Sequence, residues 1–315
     1  MKRFIFFLVI SAAVIVMSMS EKVAETAVLS DKLTVEEIVS KHLETIGPAS
    51  SRTPTGGRVI GGTTQVTFRS RGIAQAEGGA VLASDGTMSM VTMKFESSQY
   101  PYEKIGFDGN KVTAYQLHPG GYSSLGSFTL ATQEMFKEGL LGGTLSSAWP
   151  FLDLSNKKIK LEVGGTKKVN DRPAYEVKYI VRGGSDLRIS LFFDAETFQH
   201  VRTVYKKEMS AQMSRGGLGS TQRGAGGVSA AGGARGTGGT DRVGEASAGQ
   251  SNTIYELIED FSDFRTEAGL ALPHTYKIHL AQQGSATQIS DWVMTLVKFA
   301  FKQQLEPKDF DVSNE

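Results

Sequence analysis

Five histidines are the first residues to consider for chemistry. His42, His118, His200, His274 and His279 do not fall into the H-x-x-x-H, H-E-x-x-H or H-x-H spacings that hold a metal ion. His274 and His279 lie five residues apart in a segment that alternates like a strand, so their side chains would point to opposite faces. The spacing favours structural or solvated histidines, and neither a metal nor another cofactor is expected.

The serine, glycine and carboxylate patterns give no catalytic motif. The segment nearest to a G-x-S-x-G nucleophile elbow, 121–126, has a different spacing. The glycine runs at 216–219 and 236–239 follow no predicted strand and lack the Gly-Lys-Ser/Thr of a phosphate-binding loop. Glu176 and Glu256 alternate with apolar residues, which is typical of a solvated strand face. We therefore expect a binding protein and not an enzyme, with an enzyme site built from distant residues as the weakest alternative.

Charge, cysteine content and the first residues place the protein in the cell envelope. The 34 basic and 33 acidic residues nearly cancel, so nucleic acid is not an expected partner. The chain has no cysteine, which excludes disulfides, a thiol nucleophile and a lipidated cysteine. Residues 1–20 combine a basic start, an apolar run and a small-residue end, the pattern of a secretory signal peptide. We predict an exported protein that is soluble in the periplasm or, alternatively, outside the cell; an uncleaved anchor is the other alternative.

One helix and many strands are predicted after the signal. Thr34 and Glu37 form a capping box, and Gly47-Pro48 ends the helix that they begin. From about residue 59 the apolar residues alternate with polar ones, and short turns separate the alternating segments. The clearest alternation is at 65–69, 91–95, 175–181, 187–191 and 276–280. About ten or eleven antiparallel strands in a strongly curved sheet are predicted, and a doubly wound α/β fold is not.

Two segments depart from the strand pattern. Residues 129–141 have a helical period, with Thr132 as the predicted cap, and are expected to cross the face of the sheet. Residues 209–252 are rich in glycine, serine and alanine and poor in aliphatic residues, a composition that cannot bury enough surface to fold. They are predicted to be a disordered insertion within a single domain of residues 31–315.

The ordered segments, taken in sequence, resemble the periplasmic lipoprotein carrier superfamily of LolA-like, LolB-like and LppX-like proteins. The resemblance covers most of residues 31–315 apart from the insertion. The segments that carry it are LTVEEIVSKHLETIG, FDGNKVTAYQL, DRPAYEVKYIVRGG, LRISLFFDAETFQHVRTVYKK, AGLALPHTYKIHL and LEPKDFDV. It implies an unclosed β-barrel of about eleven strands, with short helices covering the opening and an apolar cavity for acyl chains. In the best-known carrier an arginine helps to hold the lid shut, and the lid region 132–152 of this chain contains none.

The resemblance and the alternation together give a set of residues expected to bind an apolar ligand. They are Phe68, Val91, Met93, Phe95, Phe136, Leu140, Leu141, Trp149, Tyr175, Val177, Tyr179 and Ile189. The predicted function is a monomeric carrier of a lipid or of a lipoprotein acyl chain, which it passes to an envelope acceptor. This prediction requires that the sheet enclose space. The alternative is a sensor or interaction module with a filled core, which contacts its partner through the Gly-rich insertion.

Overall fold

A computed structural model of the protein describes residues 33–52, 56–70, 72–153, 159–181, 183–209, 253–284 and 287–313. From Thr34 onward the described residues form one unit. The predicted signal segment and the predicted insertion, Met209 excepted, lie outside the described residues. None of the helices formed by the described residues has both the length and the apolar character of a membrane span.

Twelve antiparallel strands form one sheet, in the order β5-β4-β3-β2-β1-β14-β13-β12-β11-β10-β9-β8. The strands are β1 Gly57–Arg69, β2 Ile73–Asp85, β3 Met88–Phe95, β4 Tyr102–Phe107, β5 Val112–Ala114, β8 Lys160–Val169, β9 Arg172–Ile180, β10 Arg188–Asp194, β11 His200–Met209, β12 Thr253–Glu267, β13 Leu270–Gln283 and β14 Thr287–Gln303. Strands β6 (Gln116–His118) and β7 (Gly121–Tyr122) form a separate pair. The sheet does not close, because β5 and β8 remain its edges. The predicted fold class is confirmed, with twelve strands in the sheet instead of about eleven.

Two glycines allow the sheet to coil tightly between β14 and β3. A side chain at Gly62 would place its Cβ 2.0 Å from the Thr295 carbonyl oxygen, and at Gly78 1.8 Å from that of Lys94. The pairing of β1 with β14 also shifts by one residue between Gly61 and Gly62. A bulge next to glycine bends a strand and increases its twist. These positions therefore help to make one face of the sheet concave.

The first helix covers part of the sheet. Helix α1 spans Val35–Ile46 and is followed by the short α2, Ala49–Arg52. The predicted capping box is confirmed: the Glu37 N–H donates to Thr34 Oγ1 at 3.2 Å and the Thr34 N–H donates to Glu37 Oε2 at 2.8 Å. The helix ends at Gly47, as predicted. Its buried residues include Ile38, Val39 and Ile46, and it contacts β8 and β13.

Residues 123–152, which connect β7 to β8 along the chain, form an irregular stretch that lies against the sheet. We call this stretch the cover segment. It contains α3 (Ser124–Ala131), α4 (Glu134–Lys137) and a 3-10 turn at Gly143–Leu145, and it ends within a second 3-10 turn, Pro150–Asp153. The prediction of one helix capped by Thr132 is wrong. Ser123 caps α3 by accepting from the Gly126 N–H at 2.8 Å, whereas Thr132 is the residue after the end of α3 and its hydroxyl donates to the Phe128 carbonyl of the turn before it.

Candidate ligand site beneath the cover segment

The residues predicted to bind a ligand lie in the core of the protein. Ten of the twelve are buried, and Phe68 and Tyr175 are half-buried. The buried ten are Val91, Met93, Phe95, Phe136, Leu140, Leu141, Trp149, Val177, Tyr179 and Ile189. Their burial is also what a packed core requires, so their role in ligand binding stays a prediction.

The structure places these residues in three groups. Phe68 and Phe95 pack around the Tyr100 ring, at centroid distances of 4.9 and 5.2 Å, near β1 and β3. A second group belongs to β9 and β10, where Tyr179 pairs across the strands with Ile189. The third group belongs to the cover segment, which contacts β4 through α4 and contacts β11 and β13 through its 3-10 turn. The cover segment thus spans from one part of the sheet to the other.

The space between the cover segment and strands β2 and β3 is nearly filled. A cavity of ≈ 10 Å³ remains there, and Val91, Phe136, Leu141 and Leu145 are among its lining residues. A volume of about 10–15 Å³ holds a single water molecule. At this place the side chains of the cover segment occupy the concave face, where the sequence prediction expected open space. A hydrocarbon chain can enter here only if the cover segment moves.

A buried arginine of the sheet holds the middle of the cover segment. Arg58 of β1 is 6% exposed, and its Nη1 donates to the carbonyl oxygens of Thr144 and Leu145 at 2.8 and 2.9 Å. Burial lowers the pKa of its guanidinium to about 10. The lid region 132–152 itself contains no arginine, so the sequence does not predict this contact, which Arg58 makes from β1.

A buried carboxylate of β12 makes a second tie to the cover segment. Glu259 accepts hydrogen bonds from the Gly142 N–H at 2.8 Å, from the Tyr205 hydroxyl at 2.7 Å and from the Tyr276 hydroxyl. Burial raises the pKa of Glu259 to about 7, and the nearby charge of Asp260 acts in the same direction. The three hydrogen-bond donors are neutral, so they offset only part of the cost of burying a negative charge.

A second buried carboxylate fastens the beginning of the cover segment. Glu103 of β4 accepts from the Ser123 hydroxyl at 2.8 Å and from the Tyr100 hydroxyl, and the Trp292 indole N–H donates to that tyrosine oxygen at 3.2 Å. Burial raises the pKa of Glu103 to about 7. Because Ser123 also caps α3, the start of the cover segment is fixed by one hydroxyl with two hydrogen bonds.

Two neutral histidines lie under the end of the cover segment. The Trp149 indole N–H donates to His42 Nε2 at 3.1 Å, and His42 Nδ1 lies 3.0 Å from the Phe198 carbonyl oxygen, which fixes the hydrogen on Nδ1. Burial lowers the pKa of His42 to about 4. Trp149 stacks on His200 at 4.6 Å, and burial also lowers the pKa of His200. The interpretation of these two histidines as structural agrees with their contacts.

Comparisons with known proteins give structural matches only. No family model matches the chain, and no curated protein matches it. A LolA superfamily protein from Nitrosomonas europaea is 10% identical, with 88% of this chain and 97% of that chain covered and a TM-score of 0.41. A putative outer membrane lipoprotein-sorting protein domain from Vibrio parahaemolyticus is also 10% identical, over 88% and 97%, with a TM-score of 0.40.

The matched structures include a protein of the LolA superfamily, the superfamily that the sequence segments resemble. A DUF1329 family protein from Desulfovibrio piger also matches, at 7% identity over 88% of this chain and 97% of that chain, with a TM-score of 0.37. At these TM-scores the likeness says nothing about function, which therefore rests on the geometry of this chain.

Proposed function

We propose that the protein binds an apolar ligand, such as the acyl chain of a lipid or lipoprotein, on the concave face of its sheet beneath the cover segment. The observation that carries the proposal is the construction of the cover. A mostly irregular segment lies over an apolar sheet face and is fastened at separate points by Arg58, Glu103 and Glu259. In the closed form its own side chains occupy the face, and a ligand takes their place when it opens.

Burial of the ligand's hydrocarbon chain supplies free energy for its exchange with the side chains of the cover segment. Burying one methylene contributes about 0.8 kcal/mol, so ten methylenes supply about 8 kcal/mol as an upper value. Opening exposes cover residues such as Phe136 and Trp149, which offsets part of this gain. The exchange is then a balance of two apolar contacts, which suits a carrier that must also release its ligand.

The closed form also contains a cost that opening relieves. The side-chain oxygens of Ser127, Thr129, Thr144 and Ser147 are buried in the cover segment with no hydrogen-bond partner among the described residues. A buried polar group without a partner costs about 1–3 kcal/mol. Hydration of these hydroxyls in the open form therefore offsets part of the free energy that opening of the cover segment costs.

A second candidate function follows from the near absence of space beside Val91 and Phe136. A core that stays closed would serve an envelope interaction or sensor module that recognises its partner on the outside. The two candidates differ in one property, because only the first requires binding of a hydrocarbon chain. The partner-contacting insertion predicted for the module lies outside the described residues.

Fluorescence of the two tryptophans tests the choice. Trp149 lies in the cover segment and Trp292 in β14, and the chain has no other tryptophan. The Trp292→Phe variant keeps Trp149 as the reporter of the cover segment, and the Trp149→Phe variant keeps Trp292 as the reporter of the sheet. A long-chain fatty acid is titrated into each variant. Saturable binding with a red shift of Trp149 alone supports the ligand binder. Native mass spectrometry and lipid extraction that find no bound lipid, with no response to the fatty acid, favour the module.

A further inference from the structure

A second cavity lies where β1 begins, and Arg58 lines it from the inside. Its volume is ≈ 390 Å³. Its lining includes Ser50, Ser51, Arg58, Ser147, Phe301 and Lys302. This set contains two cationic side chains and three hydroxyls, and no acidic residue is among these described lining residues. We call this cavity the arginine pocket.

No carboxylate in the part of the chain that the structure describes forms an ion pair with Arg58. Its Nη1 is used by the Thr144 and Leu145 carbonyls, and the Phe301 ring lies 5.5 Å from its Cζ. Among the described residues its buried Nε has no hydrogen-bond partner, and Arg58 forms no ion pair with any of them. Burying a cation without a counter-charge is costly, and an anion in contact with the guanidinium would offset part of that cost.

A second unused donor lines the same pocket. Ser147 is 6% exposed, and its hydroxyl has no hydrogen-bond partner among the described residues. Its backbone N–H donates at 2.9 Å to the Ser84 hydroxyl, and Ser84 is the residue that pairs with Arg58 across β1 and β2. Ser147 is thus held close to Arg58, while the exposed Lys302 supplies positive charge at the rim.

We propose that the arginine pocket binds a phosphate-type oxyanion. A guanidinium presents several N–H donors in one plane, a geometry that matches the oxygens of phosphate, and hydrogen bonds between charged groups are shorter and stronger than neutral ones. The Arg58 Nε and the Ser147 hydroxyl are the donors available, and Lys302 adds charge attraction. The oxyanion is either inorganic phosphate or the phosphate head group of an amphiphile.

The position of the pocket couples this site to the cover segment. Arg58 is also the residue that holds the Thr144 and Leu145 carbonyls. An oxyanion that draws the guanidinium toward the pocket weakens those two hydrogen bonds and eases opening. This coupling rests on the proposed function, whereas binding of the oxyanion does not. The arginine pocket and the apolar face beneath the cover segment together fit an amphiphile with an anionic phosphate head and a hydrocarbon tail.

Calorimetric titration with three probes tests the proposal. The probes are inorganic phosphate, dodecyl phosphate and dodecyl maltoside, whose head group is neutral, each below its micelle concentration. Arg58→Met removes the charge, Arg58→Lys keeps the charge without the planar fork, and Ser147→Ala removes the hydroxyl. Lys160→Gln, an exposed lysine of β8, is the control. Circular dichroism confirms the fold, and if Arg58→Met does not fold, Arg58→Lys and Ser147→Ala still decide.

The proposal expects binding of dodecyl phosphate to weaken about 10-fold to 100-fold in Arg58→Met and to stay unchanged in Lys160→Gln. Binding of inorganic phosphate with the same dependence on Arg58 identifies a free-anion site; binding of dodecyl phosphate alone identifies the head group. Equal binding of both phosphate probes by wild type and all Arg58 variants, or no binding of either, overturns the proposal. If dodecyl maltoside binds in that case, the ligand binder stands without the arginine pocket. If dodecyl phosphate binds no more tightly than inorganic phosphate, the hydrocarbon tail contributes nothing. The arginine pocket then stands, and the proposed binding of an apolar ligand is refuted.

Discussion

Replacing Glu259 by glutamine tests whether a buried carboxylate sets the pH dependence of the closed form. The pKa of Glu259 rises from 4.5 to about 7 on folding because its carboxyl group is buried. The folded protein therefore holds a proton that the unfolded chain releases above pH 4.5. The stabilisation is fully present below pH 4.5 and is lost as the pH rises to about 7. At about 1.4 kcal/mol per pH unit the loss amounts to about 3 kcal/mol.

Glutamine keeps the acceptor oxygen for the Gly142 N–H but cannot ionise. The measured quantity is the free energy of unfolding by urea at pH 4.5 and at pH 8, followed by circular dichroism. From pH 4.5 to pH 8 the free energy of unfolding of wild type should fall relative to that of Glu259→Gln. We expect this relative loss to be about 3 kcal/mol. Glu44→Gln, an exposed residue of α1, is the control and should leave the profile unchanged. The reasoning is refuted if the stability difference between variant and wild type changes by less than about 0.5 kcal/mol between the two pH values. A change that small is no larger than the effect of an ordinary surface substitution.

Three further predictions follow from the same contacts. His42→Gln should reduce acid sensitivity, because the pKa of His42 falls to about 4 and wild type loses stability as the pH drops from 6.5 toward 4; urea titrations at pH 4 and pH 7 check this. Leu141→Ala should lower the unfolding free energy by about 2–5 kcal/mol yet strengthen binding of a fatty-acid probe, because it enlarges the cavity beside Phe136; weaker binding would contradict it. Thr34→Ala should cost about 1 kcal/mol in thermal unfolding through loss of the α1 cap, with no change in probe binding.

Local signals predicted the local structure of this chain well. The capping box of Thr34 and Glu37 lies within four residues, so the sequence alone specifies it. The strand periods were equally direct, because one buried face forces a period of two. Thr132 does not begin a helix, because its hydroxyl donates to the carbonyl four residues earlier and so does not accept from the N–H groups of a following turn.

The polar contacts of the site do leave a signal in the sequence. Glu259 stands between Leu257 and Phe261 in the alternation of β12, so the period of that strand puts its carboxylate on the apolar face. Arg58 likewise shares a face with Ile60. A charged residue in the buried phase of a strand predicts a buried polar contact. Its partner, however, was not predictable, because Gly142 lies 117 positions from Glu259 and only the fold brings them together.

The extent of filling beneath the cover segment was also beyond the sequence. Alternation shows which side chains face inward, but not whether side chains from another segment occupy the remaining space. Phe136, Leu141 and Leu145 of the cover segment do so next to Val91. The sequence prediction of a cavity therefore depended on how far the cover segment stands from the sheet, a distance that no periodicity encodes.

A cross-link between the cover segment and the sheet tests the central claim most directly. The Ser147 N–H donates to the Ser84 hydroxyl at 2.9 Å, and the chain has no cysteine, so Ser84→Cys with Ser147→Cys creates one defined disulfide. If the ligand binds beneath the cover segment, the oxidised protein should lose fatty-acid binding and recover it fully on reduction. Wild-type affinity in the oxidised protein, with the disulfide verified by mass, would contradict the claim.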